Sequence, residues 1–253
     1  FPSTTSFRSL VTAALAGEGI ERLLPVAPGD TGFCVGLVEP DAERTFVTNA
    51  GVESTLSADD LARLEIRPDD AVYVSGYDLC YPVTGPAFAA WCQDLGDPLL
   101  VLDPGPLVAE IPRSVLDPVL DRTDVLTLNE REARLLSGES DADEAAPALR
   151  DLLRPSAVLL VRQGPRGCAV YLPGHPEPVH VPAPSVTAVD STGAGDAHTG
   201  AFLAELGRTG SVLDAVRVAN AAAAISVTRA GPATAPTRDE LQRLLEKWDS
   251  ASG

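Results

Sequence analysis

Methionine is absent from this chain, and histidine (3), cysteine (4) and tryptophan (2) are scarce. With no Met even at the first position, the stretch opening on Phe1-Pro2 is expected not to be a whole translation product. Cys34, Cys80, Cys92 and Cys168 form no CxxC and no paired spacing, which argues against a disulfide framework or zinc ribbon and for free thiols in a reducing cytoplasm. His175, His180 and His198 have no ligand-like spacing with cysteine or carboxylates, so a structural zinc site is not expected. Long apolar runs are missing too. The longest, such as Ala157 to Val161, are far too short for a bilayer, and no signal peptide is visible; a cytoplasmic protein without a membrane partner is expected. Positive charge is in short supply: 19 Lys and Arg stand against 36 Asp and Glu, a net charge of −17, which disfavours nucleic acid as a partner. A phosphate-bearing ligand would have to be held by local amides, a few cations and metal against that field.

What is present is a soluble globular composition, 45% hydrophobic and 22% charged. Ser6 to Gly19 carries Phe7, Leu10, Val11, Ala14 and Leu15 at helical spacing. Phe33 to Val38 and Arg44 to Val47 flank Pro40-Asp41-Ala42-Glu43 like the arms of a hairpin. Ser57 with Asp60 three residues on marks a helix start. Strand and helix then alternate. Strands are expected at Ala71–Ser75, Leu99–Leu102, Val125–Leu128, Val158–Val161, Cys168–Leu172 and Val179–Val181. Helices are expected at Pro86–Leu95, Val115–Leu120, Glu130–Leu136, Asp143–Leu153, Ala194–Gly207, Val212–Arg229 and Leu241–Trp248. This alternation predicts one α/β domain with a mostly parallel sheet covered on both faces. Ligands of such sheets gather at the carboxyl ends of the strands, where Asp103, Asn129 and Gly164 fall and where Asp190 opens a loop.

That loop, Asp190-Ser191-Thr192-Gly193-Ala194-Gly195-Asp196, runs straight into a helical pattern. Gly193 and Gly195 permit unusual backbone angles and close approach of a ligand. The first amides of the following helix lack internal acceptors and sit at the positive end of its dipole, a ready anion site. Asp196 at its mouth can take the proton of a hydroxyl that attacks a phosphate held there. The run is not a dinucleotide fingerprint, since His198 stands where Gly or Ala would be needed. Asn129 and Glu132, three apart at a strand-to-helix junction, suggest nucleotide contact together with Mg²⁺ held through water; an Asn cap with acidic first-turn residues explains them equally. Arg162-Gln163-Gly164-Pro165-Arg166-Gly167 joins two strands as a tight turn. Asn220 is a polar group on an alanine-rich helix face that could meet an adenine edge. Asp103-Pro104-Gly105-Pro106 and Tyr77-Asp78 are adequately explained as turns, and His198 as packing or hydrogen bonding.

The hairpin, the Asn129/Glu132 pair, the Gly164–Gly167 turn, the heptad 190–196 and Asn220, in that order along the chain, resemble the ribokinase-like sugar kinase family. The resemblance implies a ribokinase-like three-layer α/β/α fold with a mostly parallel central sheet, and residues 32–48 as a small β lid. It implies ATP-dependent phosphorylation of a hydroxyl of a small sugar or sugar acid, with Asp196 as general base and Gly193, Ala194 and Gly195 as the anion hole. Asn129, Glu132, Arg162, Gly164, Gly167 and Asn220 would serve the nucleotide, and Glu132 would support Mg²⁺ through water. Asp190 and Thr192, with the 229–234 loop, correspond to the K⁺ corner of several members. A lid-to-lid homodimer, known in some relatives, is also open. Family members begin with a strand, an acidic sugar-binding residue and a Gly-Gly…Asn segment. Nothing here matches these, so residues 1–253 are expected to be a single kinase domain lacking them. A nucleoside kinase of the same fold and a non-catalytic nucleotide-binding relative are the alternatives; Asp196, unnecessary for binding alone, favours the enzyme.

Overall fold

The period-2 pattern of the apolar strands decides the architecture seen in the computed structural model, which describes residues 7–38 and 44–252. Six strands form one sheet in the order β3 (Ala71–Ser75), β4 (Leu99–Asp103), β5 (Val125–Asn129), β6 (Val158–Arg162), β7 (Cys168–Tyr171) and β8 (Val179–Val181). β3 to β6 are parallel, β7 runs against them, and β8 pairs antiparallel with β7. Successive side chains of a strand point to opposite faces. Leu100, Leu102, Leu126, Leu128, Leu159 and Val161 accordingly enter one core with α4 (Thr84–Gln93), α5 (Arg113–Arg122), α6 (Glu130–Ser137) and α7 (Ala142–Asp151). Val101, Val125, Val158, Leu160, Cys168 and Val170 enter a second core with Phe202 of α8 (Ala194–Thr209) and Val216 and Ala219 of α9 (Val212–Ser226). Both faces are sealed, giving the three-layer α/β/α sandwich that the alternation predicts. Each fully buried aliphatic side chain contributes about 1.5–3 kcal/mol. α10 (Arg238–Ser252) closes the chain beside α9.

The front of the chain is built differently. β1 (Phe33–Val38) and β2 (Arg44–Asn49) make a separate antiparallel hairpin, in register from Phe33 opposite Asn49 to Val38 opposite Arg44. The turn expected at Pro40–Glu43 lies outside the described residues. At the hairpin's base the Glu53 carboxylate accepts from the Gly32 amide at 2.9 Å and the Gly51 amide at 2.7 Å, pinning both legs. Burial pushes this carboxyl up, but the amides more than offset it and hold it below the usual range. α1 (Phe7–Gly17) forms where the spacing predicts, yet buries none of its residues. Phe7 stacks on Phe33 with centroids 4.9 Å apart, while Leu10, Val11 and Leu15 face outward. An apolar stripe sets a helix's period; it does not by itself supply something to pack against.

Of two short helices, one follows the sequence reading and one escapes it. α2 (Ala58–Leu61) begins at the expected Ser57, whose side chain forms a reciprocal capping box with Asp60. α3 (Gly76–Leu79) takes in Tyr77 and Asp78, read as a turn, because the Ser75 hydroxyl caps the Tyr77 amide directly after β3.

Candidate active site

The same alternation that sorts the apolar residues delivers polar ones to the sheet's carboxyl edge. Asp103 follows Val101, Thr127 and Asn129 follow Val125, and Arg162 follows Leu160, so all four belong to the face covered by α8 and α9. A cleft of about 730 Å³ opens there, lined by Tyr73, Asp103, Asn129, Glu132, Arg162 and the start of α8 among others. A wider groove of about 960 Å³ runs along α8 toward α10, but no strand-end residue reaches it. The first cleft is the one that gathers the motif residues.

Gly193 is the N-cap of α8, at φ 76°, a left-handed conformation that favours glycine. A Cβ on it would lie 2.0 Å from the Pro232 carbonyl oxygen, so the 229–234 loop can cross the heptad only because this residue is glycine. Gly195 differs from the expectation: it is helical, without a positive φ, and a Cβ there would make only ordinary contact with the Arg162 guanidinium beneath it. The open amides also differ from those expected. The Ala194 amide turns back to the Ser191 carbonyl at 3.3 Å, whereas among the described residues no backbone acceptor is found for the amides of Gly193, Gly195 and Asp196. Asp196, in the first turn of α8, is exposed at the cleft, and no donor from the described residues reaches its carboxylate. Partial burial and the neighbouring Asp103 charge push its pKa up, with Arg162 pulling the other way.

Asn129 and Glu132 form a complete capping box: Oδ1 of Asn129 accepts from the Glu132 amide at 2.9 Å, and Oε2 of Glu132 accepts from the Asn129 amide at 2.8 Å. The local role and the cleft-facing role coexist, because Oε2 is committed while Oε1 has no hydrogen-bond partner among the described residues. Glu132 is 4% exposed, and burial raises its carboxyl despite the Asn129 amide and Arg162.

Arg162 does not stand free over the cleft. Its Nη1 donates to Asp103 Oδ2 at 2.7 Å and Thr127 Oγ1 at 3.1 Å, and its Nη2 to Glu132 Oε2 at 3.4 Å. Asp103 therefore does more than make a turn, although its Oδ1 also accepts from the Gly105 amide at 3.1 Å. Asn220 is likewise engaged within the protein. Its Nδ2 donates to the carbonyls of Val181 (2.9 Å) and Pro182 (3.0 Å), which fixes the amide's orientation and leaves Oδ1 facing Nε2 of His198 at 3.2 Å. Nε2 must then carry the hydrogen, so the bare Nδ1 of His198 is a buried acceptor without a partner. Burial first, and then the Arg162 charge, depress the His198 pKa to about 3, so the ring is neutral near neutrality.

Gly164 and Gly167 bound the β6–β7 turn at the cleft rim, both at positive φ. At Gly167 a Cβ would lie 2.1 Å from the Val181 carbonyl, the oxygen that also receives Asn220. Asp190 takes the Thr192 amide and hydroxyl on Oδ1 (2.9 and 2.7 Å) and the Gly231 amide on Oδ2 (3.0 Å), stapling the heptad to the 229–234 loop. Among the described residues no three His, Cys, Asp or Glu side chains gather as a metal cage. Sequence reasoning placed Asp103 at this edge but read it as a turn, and did not single out Tyr73, Thr127 or Thr199. For Asp103 and Thr127 the signal was there: polar residues toward the ends of strands whose other same-face residues are apolar.

A doubly covered sheet with a glycine-opened helix and an unengaged carboxylate at its strand ends defines a phosphotransferase of the ribokinase-like fold class. The model of the pfkB family carbohydrate kinases matches residues 6–239, and the chain belongs to that family, whose members transfer a phosphoryl group to a hydroxyl acceptor. It is 35% identical to an uncharacterized sugar kinase of Escherichia coli K12, YegV, over 92% of this chain and 72% of that one. It is 32% identical to a ribokinase of Haemophilus influenzae over 92% of this chain and 76% of that one. Among solved structures, a ribokinase of Thermotoga maritima superposes with a TM-score of 0.78 at 26% identity, covering 94% of this chain and 76% of that one. Among the described residues no helix is long and apolar enough to cross a membrane.

Proposed function

We propose that this protein transfers the terminal phosphoryl group of ATP to a hydroxyl of a small sugar or sugar acid, with Asp196 as general base. The observation that carries the reading is the Asp196 carboxylate, held beside the open amides of the α8 N-terminus and engaged by no donor from the described residues. Its raised pKa suits a group that must accept a proton during turnover. Open amides at Gly193, Gly195 and Asp196 would stabilise charge building on the transferring phosphoryl oxygens. The donor set suits a metal nucleotide: Glu132 Oε1 is free to hold Mg²⁺ through water, and this ion keeps most of its hydration rather than requiring a protein cage. Bound there, Mg²⁺ would offset the charge of the nucleotide oxygens. We place K⁺ at Asp190, whose hydrogen bonds shape the loop around it. The β1–β2 hairpin, joined to the domain through the Glu53 staple, would cover the acceptor, and an apolar hairpin face is also what a homodimer would join.

ADP release measured across ketoses, aldoses, keto-deoxy acids and nucleosides identifies the acceptor class. With the best acceptor, Asp196→Asn is expected to lower kcat by about 10³-fold or more while ATP affinity changes by less than about threefold. A variant keeping most of its kcat removes Asp196 from the role of base.

A further inference from the structure

Asp103, Glu132 and Asp196 all line the cleft, and the largely buried Arg162 guanidinium stands among them. Register and alternation explain its position: Arg162 closes β6 beside Asn129 of β5 and faces the α8 side of the sheet together with Asp103. The guanidinium lies under the first turn of α8, where a Cβ on Gly195 would be 3.6 Å from its Nη2. Its Nη1 serves Asp103, Thr127 and, at 3.5 Å, Thr199 Oγ1, and its Nη2 serves Glu132. Each of those carboxylates also holds a backbone amide, Gly105 for Asp103 and Asn129 for Glu132. Asp196 holds no donor from the described residues.

We propose that Arg162 is a positioning residue for proton transfer: bound to Asp103 and Glu132 beneath Gly195, it engages the two carboxylates that would otherwise compete for the acceptor's proton and leaves Asp196 as the open one. The inference rests on the reading of Asp196 as base. A purely structural ion pair would tie the strand ends together and leave Asp196 indifferent to it. The charges say otherwise. Burial and Asp103 push the Asp196 carboxyl up and Arg162 holds it back, while Tyr73 and Tyr77, the other titratable groups facing it, are themselves pushed up and stay neutral.

The test follows Asp196 directly, without a substrate, by ¹³C NMR titration of protein labelled at the aspartate carboxyl carbon, its signal assigned by its loss in Asp196→Asn. In Asp103→Asn the Asp196 midpoint is expected to fall by about one pH unit, because the repulsion is gone and the guanidinium remains. Adding Arg162→Gln to that variant is expected to raise the midpoint by about one pH unit or more. A midpoint unmoved by the added Arg162→Gln overturns the proposal. If the double variant does not fold, Asp103→Asn alone decides, an unmoved midpoint again overturning it. The two readings fail separately: an active Asp196→Asn defeats the base, whereas an inactive Asp196→Asn with an unmoved midpoint defeats only the role of Arg162.

Discussion

The carboxyl edge of the sheet and the β1–β2 hairpin are both made of apolar-rich strands, yet they end in opposite states. At the sheet edge the central strands β4 to β6 are covered on both faces, and polar residues near their ends are tied into one network through Arg162. In the hairpin Phe33, Val35, Leu37, Phe46 and Val47 are exposed, and one carboxylate, Glu53, holds the two legs. The difference teaches that alternation specifies a strand and its two faces but not whether both faces find a partner. It also separates tasks. A phosphoryl-transfer site needs fixed dipoles, which packing supplies, while a cover needs few contacts with what it covers.

The contrast can be broken at its strongest point first. Leu160 is fully buried under α8 and Phe46 is 58% exposed on the hairpin. Leu160→Ala is expected to cost about 3 kcal/mol in urea unfolding, against a change within about 0.5 kcal/mol for Phe46→Ser; equal costs would erase the distinction. The buried network also carries a pH signature. The unfolded chain protonates His198 below about 6.5, the folded chain only below about 3, so the unfolded state binds more protons in between and stability falls as pH drops through that window. The loss amounts to about 2 kcal/mol at pH 5. His198→Phe lowers stability at every pH by leaving Asn220 Oδ1 unpaired, but it should flatten the decline between pH 7 and 5; an unchanged slope would assign that decline to other groups. The smallest effect belongs to the hinge. Glu53→Gln keeps an acceptor for one leg and loses it for the other, at about 1 kcal/mol. Amide exchange at Gly32 or Gly51 should quicken about fivefold while β4 to β6 stay protected; parallel changes in both regions would mean that the hairpin is not an independent unit.

Much of the fold was legible because strand and helix periods differ and each segment kept to one of them. Leu99 to Leu102, Val125 to Leu128 and Val158 to Val161 were readable as strands, each one residue short of its observed end, and Asn129 with Glu132 as a cap. The heptad was legible because a left-handed N-cap in contact with another loop tolerates only glycine, as at Gly193. Arg162 and Asn220 were singled out and do line the cleft, but their hydrogen-bond partners were not foreseen. Asp103 lies 59 residues from Arg162, and Val181 lies 39 from Asn220. No local pattern links positions so far apart; the parallel sheet brings the first pair together, and the packing of α9 on β7 and β8 the second.

The order of elements, the two apolar faces of each strand and the glycine-opened start of α8 were determined by the sequence itself, since they follow from backbone sterics and side-chain period within a few residues. Which carboxylates are neutralised and which stays open was decided by the tertiary structure alone. Arg162 carries the same charge in any conformation, and only strand pairing sets it against Asp103 and Glu132, beneath Gly195 and beside Asp196. Electrostatic roles depend on distance and burial, and both are properties of the folded chain rather than of its composition.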